Sequence, residues 1–231
     1  MSVPAFSQIR AVTFDVGGTL IEPWPSVGHI YAETARRVLG EAFDPVRLEE
    51  RFVAAWRTAH AHPGSFNYSK TAWAAIVRTT FLGLTDRPDD HGLFDALWQR
   101  FTEPGAWRIF PDVLPCMREL RSRGLCLAVL SNWDERLMPL LADLGLTQHF
   151  EFAIASAEIS AHKPDRKIFD HAARQLNLPS ANLLHVGDSV REDVAGAVAA
   201  GWSAQLLRRG TTEDLETILT LTDLPSRIAV G

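Results

Sequence analysis

Four polar clusters stand directly behind short apolar runs. Asp15 follows Ala11–Phe14 (AVTF) and precedes Gly17, Gly18 and Thr19. Ser131 and Asn132 follow Cys126–Leu130 (CLAVL). Lys163 and Pro164, in SAHKPD, follow Phe152–Ala155 (FAIA). Gly187 and Asp188 follow Leu183–Val186 (LLHV), and Asp193 comes five residues after Asp188. A carboxylate at the end of a buried strand is held rigidly and shown at the rim. The two glycines let backbone N–H groups approach an anion without Cβ interference. A hydroxyl and an amide stand at the same rim. A lysine there can place positive charge against a phosphoryl group or a carboxylate. Asp15, Asp188 and Asp193 together could share one hard cation, and clustered carboxylates without a cation are costly, which favours Mg²⁺.

These residues need elements to position them. The apolar runs named above, with Ala204–Leu207 (AQLL, leading into RRG), are too short for helices and read as strands. Helical patterns lie between the later ones: Asp112–Arg123, Asp134–Leu144 with Asp134 as N-cap, Asp165–Leu176, and Val190–Ala200 ending before Gly201. Alternating strand and helix predicts an α/β fold, a doubly wound parallel sheet with helices on both faces. In such sheets ligands bind at the carboxyl ends of the strands, where the polar clusters fall.

The alternation stops between Ile21 and Gly105. That stretch reads as helical throughout, over 27–39, 45–61, 69–82 and 89–103, with Asp89 and Asp90 opening the last helix and no strand between. It is an insertion between the first strand and the second, with EPWPS (Glu22–Ser26) and EPGAW (Glu103–Trp107) as hinges. The expected division is a core of residues 1–20 and 106–231 and an inserted domain of residues 21–105.

The 231 residues carry a net charge of −5, and 46% are hydrophobic and 22% charged. This is a globular composition, and nothing supplies the broad positive field that nucleic acid or an anionic membrane would ask for. No stretch reaches the length of a transmembrane helix, and no secretory signal opens the chain, so a cytoplasmic protein is expected. Cys116 and Cys126 make no disulfide framework or metal cluster and read as buried free thiols. The seven Trp read as packing groups, and His60 and His62 as solvated residues near a helix end. Of 23 basic residues only Lys70, Lys163 and Lys167 are lysine. Each therefore invites the question of why it is not arginine.

With all four clusters in order, the sequence resembles the haloacid dehalogenase-like (HAD) hydrolase superfamily. The motifs stand as FDVGGTL (Phe14–Leu20), LSNWD (Leu130–Asp134), KPD (Lys163–Asp165) and GDSVRED (Gly187–Asp193), and the inserted text HAHPGSFNYSKTAW (His60–Trp73) is similar to one subgroup. The resemblance implies a Rossmann-like core with an inserted helical cap of the C1 type, and a small phosphorylated substrate. It implies Asp15 as nucleophile, forming an aspartyl-phosphate that water hydrolyses. Mg²⁺ would be held by Asp15, Asp188 and the Gly17 carbonyl, with Asp193 completing or orienting the shell. Ser131 and Asn132 would bond the phosphoryl oxygens, Lys163 would neutralise charge, and Thr19 and Gly18 would line the phosphate site.

One departure stands out. Phosphatases of this superfamily carry a second Asp two residues after the nucleophile, which protonates the leaving group, and here that position is Gly17. Its loss predicts slowing by roughly 10²–10⁴-fold for substrates with poor leaving groups. Three readings stay open: a weak or specialised Mg²⁺-dependent phosphohydrolase, a 2-haloacid dehalogenase, and a non-catalytic or regulatory protein that keeps the site. The dehalogenase reading draws on Trp56-Arg57, which resembles a Trp-Arg pair whose Arg faces the substrate carboxylate, and it is opposed by Gly187-Asp188. A phosphonate hydrolase would need a cap lysine, and Lys70 is the only one in the insertion.

Overall fold

The structure is a computed structural model in which residues 6–62, 66–87, 91–210 and 217–229 are described. Along the chain run β1 (Ala11–Phe14), β2 (Ile21–Pro23), α1 (Val27–Leu39), α2 (Pro45–Ala59), α3 (Lys70–Phe81), α4 (His91–Arg100), β3 (Trp107–Ile109), α5 (Val113–Ser122) and β4 (Cys126–Ser131). Then follow α6 (Leu137–Asp143), β5 (Ala153–Ala155), α7 (Ser156–Ile159), α8 (Arg166–Leu176), β6 (Leu183–Gly187), α9 (Gly196–Ala199), β7 (Ser203–Leu206) and α10 (Leu224–Arg227).

Five strands form one sheet in the order β5-β4-β1-β6-β7, and every pairing in it is parallel. With its flanking helices it makes an α/β, Rossmann-like core. Strand β1 is central, with Phe14 opposite Val129 on one side and Val186 on the other. After β1 the order runs outward through β4 and β5, then returns to β6 and β7. The reversal at β1 is the switch point where such sheets open a crevice at their carboxyl ends. Val12, Phe14, Val129, Leu130, Leu184 and Val186 are fully buried, and so are Thr13 and His185 between them, so both faces of these strands are covered.

The chain divides into two compact units, Met1–Ile21 with Ile109–Gly231, and Glu22–Arg108. The second unit is built on α1–α4. Ser26 caps α1 by accepting from the His29 N–H, and Gly40 closes it in the left-handed region at φ 75°. Asp44 caps α2, whose first residue is Pro45, and Ser69 caps α3. Tyr31 stacks on Phe81 at 5.9 Å among buried Ala35, Leu48 and Leu93. Trp56 lies in a ring cluster with His60, Phe66 and Trp73, its indole 3.8 Å from the His60 imidazole. His60 is therefore half-buried and packed, not solvated.

Several local expectations change. The insertion is bounded by two three-residue strands, β2 and β3, which pair with each other. Helix α6 begins only at Leu137, and Asp134 does not cap it. Its buried carboxylate instead binds the Arg136 backbone N–H and guanidinium, which pulls the preceding turn out of helical register. Val190–Ala195 is a wide π-helical turn that precedes α9. Cys116 is buried but Cys126, at the start of its strand, is exposed. Asp89 and Asp90 lie outside the described residues. No helix among the described residues is long and apolar enough to cross a membrane.

Candidate active site

Asp15 leaves the end of β1 with its backbone N–H still bonded to the Val186 carbonyl at 2.9 Å, so the sheet ladder aims its side chain. Its Oδ1 accepts from the Ser131 hydroxyl at 2.9 Å and from Lys163 Nζ at 2.7 Å. Lys163 is 1% exposed, and its ammonium also donates to Asp193 Oδ1 at 2.6 Å. The Asn132 amide holds the lysine's backbone, accepting from its N–H at 2.7 Å and donating to its carbonyl at 2.9 Å. A second donation, from the same Nδ2 at 3.0 Å, goes to Glu192. Asp193 is gripped from three sides: by Lys163, by His185 Nε2 at 3.0 Å and by the Ser189 N–H at 2.8 Å. A carboxylate only accepts, so His185 carries its proton on Nε2 and its Nδ1 accepts from the Thr13 hydroxyl at 2.8 Å.

Charge in this cluster is arranged in opposition. Burial alone would lower the Lys163 ammonium, but the carboxylates of Asp15 and Asp193 outweigh it and hold it above the usual lysine range. Burial likewise pushes the Asp193 carboxyl up, and Lys163 and the His185 bond pull it well below the usual carboxylate range. For Asp15 loss of water wins, and its carboxyl is raised despite Lys163. Asp188 is exposed as a residue, yet the packing around its carboxyl, followed by the charges of Asp15 and Asp193, pushes it up to about 7. Burial lowers the imidazole of His185 and keeps it neutral.

The turn after β1 is built for close approach. Gly18 sits at φ 74°, and a Cβ there would run into the Asp188 carboxylate. Gly17 does not need the left-handed region. A Cβ on it would meet only a ring carbon of Trp133, at 3.4 Å. The Gly17 carbonyl accepts none of the hydrogen bonds that tie this turn together. Thr19 is wholly buried and its hydroxyl has no partner among the described residues.

Oxygen atoms of Asp15, Asp188 and Asp193 all lie within 4.8 Å of one another. This donor set of hard oxygens, with excess negative charge at Asp188, fits a divalent cation. Asp193 is already held by three donors, which suits it to anchoring more than to direct ligation. Lys167, four residues from Lys163, is exposed, and Lys70 pairs at the surface with Asp95 at 3.0 Å. Arg57 is exposed on α2 in the other unit. Sequence reasoning passed over Thr13 and His185, hidden inside the runs AVTF and LLHV. The signal available was a polar residue in an otherwise apolar buried strand.

The model of the haloacid dehalogenase-like hydrolases matches residues 9–201, and the chain belongs to that family. It is 35% identical over 210 residues to haloacid dehalogenase-like hydrolase domain-containing protein 3 of Homo sapiens, covering 87% of this chain and 82% of the human one. Among solved structures it is similar to a HAD phosphatase from Thermococcus onnurineus, with a TM-score of 0.68, 24% identity, and 94% and 97% of the two chains covered. It is equally similar in fold to the L-2-haloacid dehalogenase of Xanthobacter autotrophicus, with a TM-score of 0.72, 22% identity, and 94% and 97% covered.

Proposed function

We propose that this protein is a Mg²⁺-dependent phosphohydrolase that works through an aspartyl-phosphate on Asp15, with residues 1–20 and 106–231 as its core and the helical insertion as its cap. The observation that carries the reading is the buried Lys163 bridging Asp15 and Asp193, beside an Asp188 whose carboxylate gains from a cation. A dehalogenase has no need of that fourth-strand carboxylate, although the fold suits both reactions. The substrate is a small phosphorylated molecule.

Oδ1 of Asp15 is engaged by Ser131 and Lys163, which leaves Oδ2 to attack phosphorus. Mg²⁺ held by Asp15, Asp188 and the Gly17 carbonyl would offset charge between the incoming phosphoryl oxygens and the nucleophile. Lys163 keeps its proton and supplies fixed positive charge. The Ser131 hydroxyl is spent on Asp15 and the Asn132 amide on the Lys163 backbone and Glu192, so both act by holding the nucleophile and the lysine, and either would have to give up a bond to reach a phosphoryl oxygen. The Thr19 hydroxyl, without a partner among the described residues, would turn to the same anion, while the Gly18 N–H is already given to the Ile21 carbonyl at 2.9 Å and Gly18 serves by its bare Cα.

Gly17 leaves the leaving group without a neighbouring acid, so esters of acidic alcohols are the preferred substrates. The same residue favours a second reading, in which the site binds phosphate without turnover. Hydrolysis of p-nitrophenyl phosphate with and without Mg²⁺ tests both. Metal-dependent release that vanishes in Asp15→Asn supports the hydrolase. Binding of Mg²⁺ with beryllium fluoride and no turnover supports the non-catalytic protein. Halide release from a 2-haloacid without metal would replace both.

A further inference from the structure

We infer that Arg209, just past β7, is a positioning residue for Asp15, acting through the turn that carries the nucleophile. The inference deepens the hydrolytic reading and rests on it for its kinetic consequence only. Arg209 Nη2 donates to the Thr19 carbonyl at 2.7 Å, and Nη1 donates to Asp112 Oδ2 at 2.9 Å. The guanidinium lies flat on Phe110, 3.6 Å from the ring centre. Asp112 Oδ2 also accepts from the Thr220 hydroxyl at 2.7 Å and the Leu221 N–H at 2.8 Å. Burial alone would raise the Asp112 carboxyl, but these donors hold it below the usual range, so it stays an anion.

The turn needs an outside hold. The N–H groups of Thr19, Leu20 and Ile21 all return to one carbonyl, that of Val16, at 3.3, 2.8 and 3.1 Å. Three donors on one acceptor share its two lone pairs, so each bond is weaker than a separate one. The Thr19 hydroxyl has no partner among the described residues, so that side chain does not anchor the turn. The turn adds one internal bond, Gly18 N–H on the Ile21 carbonyl at 2.9 Å; among the described residues its outside ties are Asp15 N–H on Val186 at its start, and Arg209 on Thr19 with Phe110 N–H on Leu20 (3.1 Å) at its end. Among the described residues, Arg209 is the one outside tie on this backbone that is a side chain with two bonding directions and a stacked face. A lysine could not make both bonds and the stack at once. The guanidinium therefore ties the backbone four residues from the nucleophile to the stretch Phe110–Asp112.

The experiment uses the full chain with Arg209→Ala, Arg209→Lys and Thr220→Val. Thr220→Val removes a bond to Asp112 without touching the turn. Amide hydrogen exchange over residues 16–21 is read in metal-free protein, and p-nitrophenyl phosphate kinetics are read with Mg²⁺. Arg209→Ala should speed exchange in the turn and lower kcat by on the order of 10-fold to 100-fold with KM little changed, as expected when a nucleophile is misaimed. Arg209→Lys should behave like Arg209→Ala, and added methylguanidinium should restore part of the loss in Arg209→Ala. Thr220→Val should leave both readouts near wild type whatever it does to the melting temperature. Unchanged exchange in Arg209→Ala, or equal loosening by Thr220→Val, would overturn the inference and leave Arg209 as a staple of the C-terminal segment. A wild type without turnover would defeat the hydrolytic reading alone, because the exchange comparison still decides the role of Arg209.

Discussion

Lys163 and Lys167 sit one helical turn apart in sequence and differ in everything else. Lys163 separates two buried carboxylates, so Lys163→Ala leaves both uncompensated and should cost about 3–5 kcal/mol in denaturant unfolding. Lys167→Ala, on an exposed face, should stay within about 0.5 kcal/mol of wild type. Equal losses would show that only net charge matters. At Gly17 the backbone accepts a side chain, with a ring carbon of Trp133 at 3.4 Å as the only close neighbour. Gly17→Asp should fold normally and raise kcat on alkyl phosphates toward the ~10²-fold low end of acid–base catalysis, with little gain on p-nitrophenyl phosphate. A folded, metal-binding Gly17→Asp with no gain on alkyl phosphates would favour the non-catalytic reading. The carboxylates and the lysine were legible in the sequence because strand ends advertise them. Thr13 and His185 were not, because a hydrogen-bonded pair inside a sheet leaves the apolar run almost intact. Arg209 was read as part of the loop RRG, since only the third dimension brings it to Thr19.

Among elements, the turn from Asp15 to Leu20 is the most demanding. Gly18→Ala would force an alanine to φ 74° and drive its methyl toward Asp188, whereas Gly17→Ala meets neither difficulty. The strain alone is worth about 1–2 kcal/mol, so Gly18→Ala should lower the melting temperature and weaken Mg²⁺ binding, and Gly17→Ala should do little. Equal behaviour of the two would contradict the described turn. The five strands of the sheet were legible within a residue or two, since each is a short buried run punctuated by polar residues. Strands β2 and β3 were not, because IEP and WRI are three residues long, carry a charged residue in the middle and lie next to proline or glycine-rich text. The π-helical turn at Val190–Ala195 escaped for a different reason. Its width is set by Asp193 reaching back to Ser189 and Lys163, a tertiary demand with no local signature.

At the scale of the molecule, the acidic cluster couples stability to pH and metal. Asp188 holds its proton up to about 7 in the fold and releases it near 3.8 when unfolded. The folded state therefore binds the extra proton between those values, and the contribution of Asp188 to stability falls as pH rises through that window. Asp188→Asn should accordingly stabilise metal-free protein more at pH 8 than at pH 5. With Mg²⁺ present the order should reverse, because the wild type then gains from a bound ion that the amide holds poorly. Thermal melts at two pH values with and without Mg²⁺ check this, and a pH-independent difference would remove Asp188 from the cation site.

The central place of β1 bears on how the chain matures. Asp15 is translated well before its partners Ser131 and Lys163, which lie 116 and 148 residues downstream. Both neighbours of β1 in the sheet, β4 and β6, also come late. Such long sequence separations make a slow-forming, high-contact-order nucleus. A nascent chain therefore carries the strand AVTF, apolar but for Thr13, without its sheet neighbours until β4 and then β6 emerge, exposed to aggregation meanwhile. Chains halted before Leu183 should need chaperone shelter, whereas the helical insertion, whose contacts are local, can condense while the ribosome is still working.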